Sequence, residues 1–462
     1  MQYFLLCAIF GATFIAMAVS GEVDNDRLKA PVWSVQFEYE QLNMTMTHSQ
    51  KVSFIITGIE PSWNRDFELH VWHDNEAVAY VDRVETVFSS GDGETGMVKG
   101  NFTIKAVLLG YTQVYVELQR TGYEAERSQQ SMKVIVTRSM TLLDMIFNIS
   151  VGCFVMVIYV NFGAVLDLEA LKRIVLCPVG PVIGLFCQFM VMPILSFLIG
   201  YYLFREMIEL RLGLFFLGVS PAGGSSNIFA VLLNGNLNLS ITMTAISNLA
   251  AFGMMPLWIF TLGALIFRDG NFAIPYKSIA SISCTLVVPI AVGIMLQQYA
   301  PEVTKRISKL LKPISLLLIL SITFFGCILN SYMFKLLSLE VLIGSCILPW
   351  LGYIIGWLIA TGLRQPPKDA ITIAIETGIQ NIGIAIFMLN FTLPQPQADM
   401  TTAVPIANSL ATPLPLLLIY FIKLCFCRKG EKAVEEESPN KETELVAIME
   451  KGQEQETKKF PQ

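Results

Sequence analysis

Two hydrophobic patterns divide this chain, and they predict two kinds of element. Trp33, Val35, Phe37 and Tyr39 alternate with Ser34, Gln36, Glu38 and Glu40, the period of a strand with one buried face. Similar short runs follow at 52–57, 67–72, 77–81, 102–107, 112–118 and 133–137, with turn-rich pieces such as 89–96 between them. About seven short strands in succession predict an all-β sandwich of the immunoglobulin or fibronectin kind. Beyond Leu142 the alternation gives way to long apolar spans, at roughly 142–165, 174–203, 209–234, 238–267, 278–299, 313–334, 340–363, 369–393 and 401–424. Runs of this length predict nine helices crossing a bilayer. A separate apolar run at 3–19 ends in Ala18-Val19-Ser20, the small-residue pattern of a secretory signal peptide; an uncleaved anchor is the alternative. The expected organisation is a leader at 1–20, an extracellular β-sandwich at 21–138, a nine-helix membrane domain at 139–427 and a disordered cytosolic tail at 428–462.

Composition strengthens the membrane reading. The chain is 53% hydrophobic and only 15% charged, and with a formal net charge of −5 it offers no basic surface for nucleic acid. No cysteine lies between Gly21 and Gly152, so the sandwich is expected to lack an internal disulfide. Cys425 and Cys427, at a helix end, are either palmitoylation sites or ordinary membrane-edge residues. Orientation follows from the basic residues. With the N-terminus outside, the inner segments hold Lys172, Arg173, Lys305, Arg306, Lys309, Lys312, Arg364, Lys368, Lys423, Arg428 and Lys429. The outer loops hold only Arg205, Arg211, Arg268, Lys277 and Lys335. That asymmetry places the C-terminus in the cytosol. Asn43 and Asn101 then stand in glycosylation sequons on the outer side. His70 and His73 are two ligands without a third, so they are expected at a solvated strand edge and not on a metal.

The chemistry concentrates in two spans. The stretch 371–389, ITIAIETGIQNIGIAIFML, is apolar enough for a bilayer, yet it holds Glu376, Thr377, Gln380 and Asn381 with Gly378 and Gly383. An ionisable group at membrane depth costs at least about 2.5 kcal/mol and faces a polar cavity by default. Glu376 is the one such group well inside an apolar run past Met145. The third span carries a comparable break, Ser220-Pro221-Ala222-Gly223-Gly224-Ser225-Ser226-Asn227. Interrupted spans at matching places in two halves point to the central site of an inverted-repeat transporter. At such breaks, carbonyl and hydroxyl oxygens can replace the hydration shell of a small cation. Ser240, Thr244 and Ser247 follow at helical spacing on one face, and Gln188 is the one amide inside the second span. Taken singly, hydroxyls and amides on a membrane helix are more often helix packing, but directly after the Gly223-Gly224-Ser225-Ser226-Asn227 break the ligand reading gains.

Three stretches carry a resemblance: SPAGGSSNIFAVLLNGNLNLSITMTAISNLAAFGMMPL (220–257), ETGIQN (376–381) and CQFMVMPILSF (187–197). They resemble the sodium/bile acid cotransporter family over about 140–427, with order and spacing kept. The resemblance implies two broken helices that cross, and two sodium ions bound at the crossing. One sodium site would use Ser226, Asn227, Ser240, Thr244 and Glu376. The other would use Gln188, Glu376 and Gln380, with the backbone carbonyls of Thr377 and Ile379. It also implies a panel part and a core part that move relative to each other. The sandwich sets this chain apart and resembles members with long extracellular N-terminal domains.

The expected function is a sodium-coupled symporter, moving an amphipathic organic anion such as a bile acid or sulfated steroid into the cell, with no cofactor beyond the coupling ions. Proton coupling through Glu376 is an alternative, as is a non-transporting sensor or adhesion protein. An enzyme is disfavoured, since nothing past Met145 pairs a histidine with a nucleophile or a metal. The expected partners are sodium, the organic anion and the lipid bilayer, and the expected location is the plasma membrane.

Overall fold

A computed structural model of the chain describes residues 33–59, 67–89, 96–120, 124–139, 141–165, 179–205, 207–270, 272–302, 304 and 339–425. The expected leader, the sixth span at 313–334, Cys427 and the tail lie outside the described residues. The chain divides into two compact units, Met1–Thr137 and Arg138–Gln462.

The first unit is a sandwich of two sheets. One has the order β1 (Ser34–Phe37), β3 (Ser49–Ile59), β6 (Gly96–Ala106), β5 (Ala79–Ser89). The other runs β2 (Gln41–Thr45), β9 (Met132–Thr137), β7 (Gly110–Arg120), β4 (Phe67–His73), with the short β8 (Glu126–Arg127) on β7. β2 and β9 are parallel, and the other pairs are antiparallel. Alternate residues of both sheets meet in one core: Val35, Phe54, Phe102 and Ile104 from the first, Leu42, Val116, Leu118 and Val134 from the second. Strands β5, β6 and β7 are longer than their apolar runs predict, because neighbouring ladders pair the polar ends as well. Tyr39 is a correction. It lies past the end of β1 and is exposed, so the alternation that starts at Trp33 is cut short by a turn. β2 is unexpected: with only Leu42 and Met44 turned inward, it offers two apolar positions, too few to read as a strand. His70 and His73 lie on β4, at the edge of its sheet.

The second unit is helical, and six of its described helices are long and apolar enough to cross a membrane. They are α1 (Leu142–Val165), α2 (Val179–Leu203), α5 (Leu237–Asp269), α6 (Tyr276–Tyr299), α7 (Leu339–Gly362) and α10 (Gln397–Cys425). The third and eighth expected spans are instead pairs of short helices: α3 (Ile208–Val219) with α4 (Ser226–Leu232), and α8 (Pro367–Gly378) with α9 (Ile382–Thr392). Every residue of α3 from Glu209 to Val219 is buried, the mark of a helix packed on all sides. α1 and α6 pack backbone to backbone. A Cβ on Gly163 would stand 2.3 Å from the carbonyl oxygen of Ile290, and one on Gly293 would stand 2.2 Å from that of Val160.

Prolines interrupt the long helices, and in two cases a neighbouring helix makes good the lost bond. Pro193 cannot donate to the carbonyl of Phe189, and a π-turn at Cys187–Val191 precedes it in α2. The indole of Trp258 in α5 donates to that carbonyl at 2.6 Å. Pro349 likewise frees the carbonyl of Ser345 in α7, which accepts from Asn408 Nδ2 of α10 at 2.8 Å. In a bilayer no water is at hand for a freed carbonyl, so these pairings fix which helices stand side by side.

Candidate functional site

The two breaks cross and join. α3 ends at Val219, and the extended backbone of Ala222 forms an antiparallel bridge with Gln380, just past the end of α8. The N–H of Gly223 donates to the carbonyl of Ile379 at 2.9 Å, and that of Asn381 donates to Pro221 at 2.8 Å. Glycine is required at 223, since a Cβ there would lie 2.6 Å from the Gln380 carbonyl oxygen. α5 braces the first break, Ser247 Oγ accepting from the N–H of Ala222 at 2.8 Å. Asn381 caps α9, its side chain accepting from the N–H of Ile384. Four half-helices therefore point their ends at one buried crossing.

Glu376, in the last turn of α8, is 1% exposed. Three hydroxyls from two other helices donate to its carboxylate. Ser226 Oγ of α4 reaches Oε1 at 2.6 Å. Thr244 Oγ1 of α5 lies 3.0 Å from Oε1 and 2.9 Å from Oε2. Ser240 Oγ, one turn before Thr244, also donates to Oε1. The spacing of Ser240, Thr244 and Ser247 thus reports a real polar face, all three being buried, with two hydroxyls on the carboxylate and the third on the break. Asn227 stands beside this shell at the start of α4. Its Nδ2 donates to the carbonyl of Gly224 at 3.3 Å, while its Oδ1 is buried without a hydrogen-bond partner. A buried acceptor left open needs a ligand or a reason.

Gln188 and Gln380 make a second polar group. The π-turn of α2 presents Gln188, whose Nε2 donates to Gln380 Oε1 and to the carbonyl of Ser220, each at 2.6 Å. Gln380 Nε2 donates to the carbonyl of Thr377 at 2.7 Å. The carbonyl of Ile379 is taken by Gly223. All nine residues named from the sequence therefore gather at the crossing. They form two polar groups, with the hydrogen bonds of Glu376 running to the first. Sequence reasoning missed the bracing role of Ser247 and the clamp from Gln188 to the Ser220 carbonyl, which no spacing reports. Glu376 is also not the only buried ionisable group, since Asp144, Glu209, Arg211 and Asp399 are buried near helix ends. Arg138 pairs with Asp144 at 2.8 Å and with Asp399 at 3.7 Å, and Arg211 pairs with Asp269 at 3.1 Å.

Residues 152–335 match the model of the Sodium Bile acid symporter family. The P3 protein of Homo sapiens is 31% identical over 57% of this chain and 55% of its own length. The hepatic sodium/bile acid cotransporter of Rattus norvegicus is 29% identical over 67% of this chain and 87% of its own. The sodium-dependent organic anion transporter of Homo sapiens is 28% identical over 58% and 71%. Against the P3 proteins, the match spans little more than half of the relative's length. The matched family is one of transporters and not of enzymes, and with six apolar helices the chain is a multi-pass membrane protein.

Proposed function

We propose that this chain, whose helical part resembles the sodium/bile acid symporter family, is itself a sodium-coupled symporter of an amphipathic organic anion, working by alternating access. The observation that carries the proposal is Glu376, buried at the crossing of two broken helices inside a shell of hydroxyls from α4 and α5. A carboxylate, three hydroxyls and the open Oδ1 of Asn227 make an oxygen set suited to a small hard cation. A proton would need only the carboxylate. The first sodium takes Ser226, Asn227, Ser240, Thr244 and Glu376. The second takes Gln188, Gln380, Glu376 and the carbonyls of Thr377 and Ile379, after the amides let go of each other. The first ion draws α4, α5 and α8 together and the second draws α2 to α8, with one carboxylate serving both.

The names of the relatives, a bile acid cotransporter and an organic anion transporter, support the anion as cargo. In the proposed arrangement nine spans form two inverted repeats, with α3–α4 and α8–α9 as their broken members. The sandwich lies outside the cell, follows a cleaved leader and carries sugar at Asn43 and Asn101. Asn43 is exposed on the edge strand β2, where a glycan meets no ladder. The deciding experiment is uptake of labelled bile acids and sulfated steroids by cells expressing the chain, in sodium and in choline. Uptake only in sodium is expected; equal uptake in both buffers ends the sodium-coupled reading.

A further inference from the structure

A second recess lies away from the crossing, on the face made by α7, α8 and α10. It encloses about 900 Å³, within the range of small-molecule sites, and its walls include Trp357, Ile371, Leu416 and Ile419. Lys368 and Lys423 also line it. Trp357 is 48% and Ile419 52% exposed, so the recess is an open groove on the flank of the helical unit and not an internal cavity. Apart from the two lysines, its lining holds no charged side chain. Among the described residues no ion pair engages either lysine, although four are formed elsewhere by lysine or arginine. The nearest acid in sequence, Asp369, is turned to Asn236, whose Nδ2 donates to Oδ1 at 2.8 Å.

An apolar channel on the side of a membrane helix unit, with two ammonium groups among its walls, has a definite chemical complement. The occupant has to be a molecule with an acyl chain, a negative head and access from within the bilayer. We propose that this groove binds an anionic phospholipid, with an acyl chain along Trp357, Ile371, Leu416 and Ile419 and the headgroup phosphate between Lys368 and Lys423. A zwitterionic lipid brings its own ammonium group and gains less from the pair. Basic residues beside apolar helix faces recognise anionic headgroups in this way. The site has a mechanical consequence. α8 carries Glu376 near one end and Lys368 at the other, with Ile371 and Ile375 in the groove wall between them, so lipid in the groove bears on the helix that holds the buried carboxylate.

The test uses the full-length protein purified in detergent and probed with phosphatidylglycerol and phosphatidylcholine of identical acyl chains. Wild-type protein is expected to retain phosphatidylglycerol in native mass spectra and to gain thermal stability from it, with a much smaller response to phosphatidylcholine. K368Q/K423Q is expected to weaken phosphatidylglycerol binding about tenfold, each lysine contributing a few-fold near a membrane surface, and its unliganded thermal midpoint should stay near wild type. A second variant, I371W, fills the groove, keeps both lysines and should also lower retention. Equal retention of the two lipids by wild type overturns the proposal. So does undiminished phosphatidylglycerol binding in both variants, or displacement of the lipid by a bile acid at the concentration that saturates uptake, which would make the groove a cargo site. A chain that transports nothing can still show the lipid response, so the two proposals fail independently.

Discussion

Glu376 is buried among hydroxyls that donate to it. Three hydroxyl donors converge on one carboxylate, and charge-assisted bonds of this kind are about twice as strong as neutral ones. The same oxygens turn to a cation without moving, because a hydroxyl that donates to a carboxylate still presents a lone pair. Glu376→Gln keeps the shape and removes the charge that the proposed ions share. It is expected to abolish sodium-driven uptake while surface labelling stays near wild type; normal uptake by this variant sinks the shared-carboxylate scheme. Asn227→Ala removes the open buried acceptor beside the shell and leaves the carboxylate shell in place. It should raise the sodium concentration for half-maximal uptake several-fold, read from initial rates across a sodium series. Equal loss of surface protein and activity, with sodium dependence unchanged, would mark Asn227 as a packing residue.

At the scale of elements, the crossing depends on backbone proximity, and two adjacent glycines separate that requirement from mere flexibility. A Cβ at Gly223 meets the Gln380 carbonyl, whereas one at Gly224 meets nothing within 4 Å. Gly223→Ala should therefore cost about 1–3 kcal/mol, the usual range for overpacking, and show as a lowered thermal midpoint and lost uptake. Gly224→Ala should stay close to wild type in stability; matched effects at both positions would remove the steric account. Trp258→Phe tests the other device, since it leaves the Phe189 carbonyl without its indole donor. A loss of about 1 kcal/mol is expected, shrinking when Pro193→Ala is added and the backbone N–H returns, as a double-mutant cycle measures. These devices also explain what could be read from the sequence. The breaks at 220–227 and 376–381 were legible because polar and glycine residues are conspicuous in apolar runs, and β3 and β7 because their apolar period is 2. The partners were not. Nothing local in Pro193 points to Trp258, and nothing in Pro349 points to Asn408. The clamp from Gln188 to the Ser220 carbonyl joins positions that only the fold brings together.

At the scale of the whole molecule, the proposed stoichiometry is a statement about energy. Two sodium ions entering with one monovalent anion carry one net positive charge inward. A tenfold sodium gradient supplies about 1.4 kcal/mol per ion, and a potential of 100 mV adds about 2.3 kcal/mol for the net charge. The total of roughly 5 kcal/mol can hold a cargo gradient above about 10³. With a single sodium the cycle is electroneutral and only about 1.4 kcal/mol remains. The crossing bears on this choice because it offers two groups of oxygens and only one carboxylate between them. If both groups fill, the site holds two positive charges against one negative, and the anionic cargo is needed to balance the loaded state. Cargo and ions then favour each other's binding, which is the coupling a symporter needs. Uptake should therefore rise with an inside-negative potential, set by potassium and valinomycin in proteoliposomes, and should depend on sodium with a Hill coefficient above about 1. Variants of Gln188 or Gln380 to alanine should lower that coefficient and weaken the voltage dependence together, since both report the second ion. Wild-type uptake that ignores the potential would leave the Gln188–Gln380 group as a helix clamp and reduce the coupling to one ion at Glu376.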